Sequence, residues 1–152
     1  MTRKRVFQIL GVLVLVFLLI QLIPYGHARA NPAVVSEPNW SSPQARAIVK
    51  EYCFQCHSNE TAWPWYSNIA PGSWLIARDV SEAREKFNFS DWNNNPGDVD
   101  EMVEEVQEGG MPPIQFWIFH PQLHPDEQQK QALIDALKSS IPEGPKEQEE
   151  PD

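Results

Sequence analysis

Residues 52–58 read YCFQCHS, and Cys53 and Cys56 are the only cysteines in a chain of 152 residues. Thiols at i and i+3 share one face of a helical turn. From there both can bond through thioethers to one flat macrocycle, while the imidazole of His57, next in the chain, reaches its metal. C-x-x-C-H is the spacing used for covalent haem attachment, and histidine is a common proximal ligand of haem iron. Three other chemistries use close cysteine pairs. A redox dithiol of thioredoxin type wants a βαβ setting, which the pattern lacks. A Cys2His2 zinc site would add His120 and His124, but the gap from Cys56 to His120 is long, and Pro121 and Pro125 break the helix that presents such imidazoles. A plain disulfide between i and i+3 of a helix is poorly placed. Haem attachment is the favoured reading.

A haem held by His57 has a second axial position. Met102 falls in apolar helical spacing and reads as core. Met111 stands apart in EGGMPP, where Gly109 and Gly110 allow close backbone approach and Pro112 and Pro113 stiffen the chain after it. Met111 is the expected sixth ligand, with His120 and His124 as rivals. An open sixth position is the other alternative. His27 reads as solvated.

The elements that must position these groups are helical. Ser41 or Ser42 caps a helix with Pro43 in its first turn, carrying Ala45, Ile48, Val49 and Tyr52 inward and running into Cys53. WPWYSNIAPGSW reads as an ordered aromatic loop. Ser73 caps a second helix with Leu75, Ile76, Val80 and Ala83 inward, reaching about Phe87. Asp98 caps a third, with Met102, Val103 and Val106 inward, ended by Gly109 and Gly110. The stretch from MPP to Pro125 reads as irregular, and a last helix starts near Asp126 with Ala132, Leu133, Ile134 and Leu137 on its apolar face. No segment alternates convincingly as a strand. The class is mainly α.

At the N-terminus, Arg3, Lys4 and Arg5 precede an apolar run from Val6 to Ile23, broken only by Gln8, Gly11 and Gln21. As a helix those residues would extend about 27 Å against a hydrocarbon core of roughly 30 Å. Residues 1–24 are therefore expected to be one transmembrane signal-anchor, basic end on the cytoplasmic side, with a signal peptide cleaved at Ala28-Arg29-Ala30 as the rival. Either reading places the rest of the chain in the periplasm, in the first case as a single-pass inner-membrane protein. Residues 25–40 read as an extended tether and 41–141 as the functional domain. Residues 142–152, PEGPKEQEEPD, read as a disordered acidic tail.

After Ala30 there are 8 basic and 21 acidic residues, a formal −13. That excludes a basic nucleic-acid footprint and disfavours an anionic lipid surface. It suits a partner protein with a basic docking patch.

CFQCHSNETAWPWYSNIAPGSW together with EGGMPP resembles the haem-binding domain family of bacterial cytochrome c-like proteins. The resemblance runs from about Leu22 to about Leu137 and takes in IPYG and NFSDW. It implies a small cytochrome c-like helical domain with Pro/Trp-rich loops around one covalently bound haem c. Cys53 and Cys56 are then the thioether sites, His57 the proximal ligand and Met111 the distal one. Trp63, Trp65, Tyr66 and Trp74 are expected to wall the haem, and Arg78 to pair with a propionate. The implied role is one-electron transfer to a redox partner rather than catalysis. A haem enzyme or gas sensor with open iron, peroxidase-like, is the alternative; a zinc module is weaker.

Overall fold

The computed structural model describes residues 2–26 and 29–142. The readings placed on His27, on Ala28 of the cleavage pattern and on the tail beyond Pro142 lie outside the described residues.

Among the described residues there are seven helices and no strand: α1 Arg3–Ile20, α2 Pro43–Tyr52, α3 Phe54–His57, α4 Gly72–Lys86, α5 Val99–Glu108, α6 Ile114–Phe119 and α7 Glu127–Ser140. Single 3-10 turns cover Trp65–Asn68 and Pro121–Leu123. The mainly α class holds, but the expected transmembrane helix does not. α1 starts inside the basic cluster and stops at Ile20, so Leu22 and Ile23 fall beyond it. That leaves the 15 residues Val6–Ile20 as its apolar part, about 22 Å at 1.5 Å per residue, too short for a core of roughly 30 Å. Among the described residues no helix is long and apolar enough to cross a membrane. The expectation of a single-pass inner-membrane protein is corrected with it.

The chain forms two compact units, with the division falling inside α4. The first comprises Met1–Ala30 and Ala62–Glu82. Here the Gln21 side-chain amide pairs with both backbone groups of Ala70, accepting from its N–H at 2.9 Å and donating to its carbonyl at 3.1 Å. Gly26 has φ +76°, and a Cβ there would run into the Ser73 carbonyl, so two reasons restrict that position to glycine.

The second unit comprises Asn31–Thr61 and Ala83–Asp152. Its core lies where α7 packs on α2 and α5. Val49 of α2, Val99 and Val106 of α5, and Leu133 and Leu137 of α7 are almost completely buried there. Local signals set each helix. Ser42 Oγ accepts from the Ala45 N–H at 3.0 Å, and Asp98 accepts from the Asp100 and Glu101 N–H groups. Asp126 and Gln129 form a capping box at α7. Gly109, at φ +78°, ends α5 in the left-handed conformation. An aromatic layer closes the core: Phe54 stacks on Phe89 at 5.2 Å, Phe89 stacks on Trp92 at 5.5 Å, and Trp40 leans on Phe54 and Phe89.

Candidate functional site

α2 does not simply continue through the cysteine pair. The Cys53 N–H still bonds the Val49 carbonyl at 2.9 Å, closing α2, but Cys53 itself adopts φ −115°. Its carbonyl then accepts from the amides of both Cys56 (3.2 Å) and His57 (2.9 Å). Residues 53–57 thus wrap one turn around a single carbonyl oxygen, bringing Cys53, Cys56 and His57 together. Neither cysteine is in a disulfide. Burial pushes the Cys53 thiol up to about 12, and nearby charge on Cys56 adds to the effect. Cys53 therefore keeps its proton at neutral pH in this setting.

His57 is 6% exposed. Its ring lies flat on Phe87, centroids 3.9 Å apart and planes 9° from parallel. Burial pulls its pKa down to about 4; the nearby backbone of Phe87 and Ala83 opposes this without completing a hydrogen bond to Nδ1, and the Lys86 charge assists it. The imidazole is neutral at pH 7, so one nitrogen keeps a lone pair free for a metal. Nδ1 is buried with no hydrogen-bond partner. A buried polar atom left unpaired costs about 1–3 kcal/mol, so this ring is better suited to a bound group than to an apolar core.

The segment after α4 fixes this turn. The Phe89 N–H donates to the His57 carbonyl at 2.8 Å. Ser90 Oγ accepts from the Asn59 N–H at 2.9 Å, and the Asn88 amide donates to Asn59 Oδ1 at 2.9 Å. Arg84 donates to the Ser58 carbonyl (2.8 Å), Thr61 Oγ1 (3.0 Å) and Asn31 Oδ1 (3.1 Å). Reading the sequence for ligands alone misses Arg84, Phe87, Asn88 and Ser90. For Asn88, Phe89 and Ser90 the signal is the NFSDW stretch, which carries part of the resemblance and is found wrapped on the cysteine turn.

Met111 stands apart in the chain, on the loop after α5. Its N–H bonds the Glu105 carbonyl at 3.1 Å, and its side chain is 37% exposed. The two later histidines are engaged locally: His120 stacks on Phe116 at 4.6 Å, and His124 meets Trp117 edge-on at 4.1 Å. Among the described residues no group of three or more His, Cys, Asp or Glu is placed to hold a metal ion. The Cys2His2 zinc arrangement is therefore not assembled.

The expected aromatic wall belongs to the first unit. Trp63 and Trp74 are half-buried, each with a buried Nε1–H that has no partner, and Ser73 Oγ shares that condition. Trp65 is 73% exposed and lies edge-on to Tyr66 at 5.8 Å. Arg78 is exposed and pairs with Glu82 at 3.2 Å and Asp79 at 3.8 Å on its own helix.

A family model described as a haem-binding domain matches residues 15–139. No curated protein and no solved structure matches the chain.

Proposed function

The chain belongs to the haem-binding domain family, and from that premise we propose that it holds one haem c covalently and serves as a one-electron carrier. Haem binding follows from the family; the covalent bond and the electron-transfer role are our reading. The observation that carries it is the buried His57, its Nδ1 unpaired, set one residue after a reduced cysteine pair on the same turn.

The residues fit the group. Cys53 and Cys56 would hold it by two thioethers, which requires both sulfurs to be free of a disulfide, as they are. His57 would give the proximal nitrogen, and Met111 the distal sulfur. A bound haem supplies a one-electron couple at its iron. Phe87 fixes the plane of the imidazole, and the hydrogen bond from Phe89 to the His57 carbonyl fixes its distance from the core. The layer of Trp40, Phe54 and Phe89 keeps water from that side of the turn, which limits solvent reorganisation when charge changes.

The test is an absorption spectrum of the full chain, oxidised and reduced, after expression with haem-attachment machinery. A reduced α-band of c-type that survives acid-acetone extraction supports the reading. A low-spin oxidised form with a weak far-red band supports Met111. A high-spin form that shifts with CO would instead indicate an open iron position and a sensor or enzyme. No haem band at all would overturn the proposal.

A further inference from the structure

One arginine is built into the turn that carries the cysteine pair. Arg84 lies in the part of α4 that belongs to the second unit and is half-buried. Its Nε donates to the Ser58 carbonyl at 2.8 Å, and one terminal nitrogen donates to Thr61 Oγ1 at 3.0 Å and Asn31 Oδ1 at 3.1 Å. The Thr61 hydroxyl then donates to the Gln55 carbonyl at 2.9 Å, and the Asn31 amide donates to the Thr61 carbonyl at 2.8 Å. The Gln55 carbonyl precedes Cys56 in the chain, and the Ser58 carbonyl follows His57. Cys56 and His57 are therefore bracketed by two carbonyls that both lead to one guanidinium. Ser58 and Thr61 are buried, and a hydrogen bond from a charged donor, passed on through a buried hydroxyl, is stronger than a neutral one. The Asn95 amide fastens the other end of the residue, donating to the Arg84 carbonyl at 2.7 Å.

The guanidinium stays charged at any working pH. Its three acceptors are neutral oxygens, which orient the head without cancelling its charge. It is near enough to Cys56 that a charge on that sulfur would act on it. Other cations around the turn are held differently. Lys86 acts on His57, but it is exposed and pairs with Glu101 at 2.7 Å. Arg46 pairs with Glu37 and Glu60, and Lys50 with Glu60.

We propose that Arg84 is a positioning residue whose fixed charge, clamped to the carbonyls on either side of Cys56 and His57, raises the reduction potential of a haem held at His57. This role rests on the haem-carrier reading. Oxidised iron carries one more positive charge than reduced iron, so a cation fixed behind its ligand turn disfavours the oxidised form. Because the guanidinium is half-buried, solvent screens it less than it screens an exposed lysine.

The haem-loaded full chain is equilibrated with a one-electron mediator dye of known potential, so that the haem gains the electron the dye loses, and the reduced fraction is read from the α-band. Arg84→Gln should shift the exchange constant about threefold to tenfold toward oxidised haem. Arg84→Met, also neutral and of similar length, should do the same and serves if the glutamine variant does not fold. Arg84→Lys keeps the charge without the fork and should shift it less than about twofold. Thr61→Val cuts the link to Gln55, leaves the arginine charge in place, and should likewise shift it less than about twofold. Lys86→Gln is the exposed-charge control and should move it less than Arg84→Gln does. Urea midpoints of the haem-free chain should fall in all three of Arg84→Gln, Arg84→Lys and Thr61→Val, since each loosens the same clamp. Stability thus falls wherever the clamp is cut, and the potential falls only where the charge is lost. Equal exchange constants for the parent and the neutral Arg84 variants, or a shift in Thr61→Val as large as theirs, overturn the role of the charge; the parent's haem band then still supports the carrier reading. A parent chain with no haem band overturns the carrier reading and this role with it.

Discussion

The rings of His57 and Phe87 lie face to face, 3.9 Å between centroids and 9° from parallel. Phe87 is itself buried and part of the core of the second unit. One residue thus serves both packing and ring orientation. Phe87→Ala should cost about 3–5 kcal/mol, as large-to-small core changes do. Phe87→Leu, which keeps most of the volume, should cost less than half of that. In both, the low-spin haem spectrum should broaden. Urea midpoints and optical spectra on the same samples check this; a full loss of stability with an unaltered spectrum would mean that Phe87 packs but does not orient.

Gly97 presses on the same ring. A methyl group there would collide with Met102 Cε and lie 2.8 Å from Phe87 Cγ. Gly97→Ala should destabilise by about 1–3 kcal/mol, the usual range for overpacking. Gly110→Ala is the control, because its methyl would press only on the end of the flexible Glu105 side chain. Equal denaturation midpoints for the two variants would refute the argument from Phe87.

Replacing Cys53 and Cys56 together by serine should leave haem extractable by acid-acetone. His57→Ala should keep the thioethers and lose the low-spin spectrum. Retained covalent haem in the first variant, or a persisting low-spin band in the second, contradicts the assigned roles.

Beside this turn, where the Arg46 guanidinium lies 5.3 Å over the Phe54 ring, Glu37 accepts two bonds from Arg46 at 2.7 Å and one from Trp40 Nε1 at 2.7 Å. The Arg46 guanidinium is the largest cause holding the Glu37 carboxyl below its ordinary value near 4.5, with burial opposing it. A carboxyl depressed on folding contributes stability that is full above its ordinary range and is lost as pH falls through that range toward the folded pKa. Glu37→Gln should therefore cost up to about 1 kcal/mol at pH 7, and the gap to the parent should close near pH 3. Urea titrations at both pH values decide it; a gap that widens in acid reverses the sign.

Local chemistry is readable from the sequence because it is written in neighbouring residues. Ser42 before Pro43, Asp98 before Val99, Gly109 after Glu108 and Asp126 before Glu127 each announce a helix end, and each is found there. Ser73 misleads: α4 starts at Gly72, and the Ser73 hydroxyl is buried and unpaired rather than capping. Leu75 misleads as well, being exposed despite its helical spacing. α6 is illegible because Pro113 and Pro121 bracket only a few residues, too short for periodicity to register. The N-terminal run is legible as a helix but not in its bounds, which exclude Leu22 and Ile23. The surroundings of His57 are not legible from spacing for a different reason, although the NFSDW stretch marks some of their residues through the resemblance. Phe87, Phe89 and Ser90 reach residues 57–59 only through folding of the intervening chain, and nothing in their own spacing points back there.

That last separation has a kinetic meaning. The turn that gathers the two thiols closes over residues 53–57 and can form on the timescale of a helical turn, about a microsecond or less. The bond from Phe89 to His57 closes a loop from residue 57 to residue 89, and the stack from Phe87 needs the same closure. The thiols are thus presented early and the imidazole is locked late. A nascent chain that has emerged only as far as Thr61 already offers the attachment pair, while the ligand's setting awaits the Asn88–Ser90 strap.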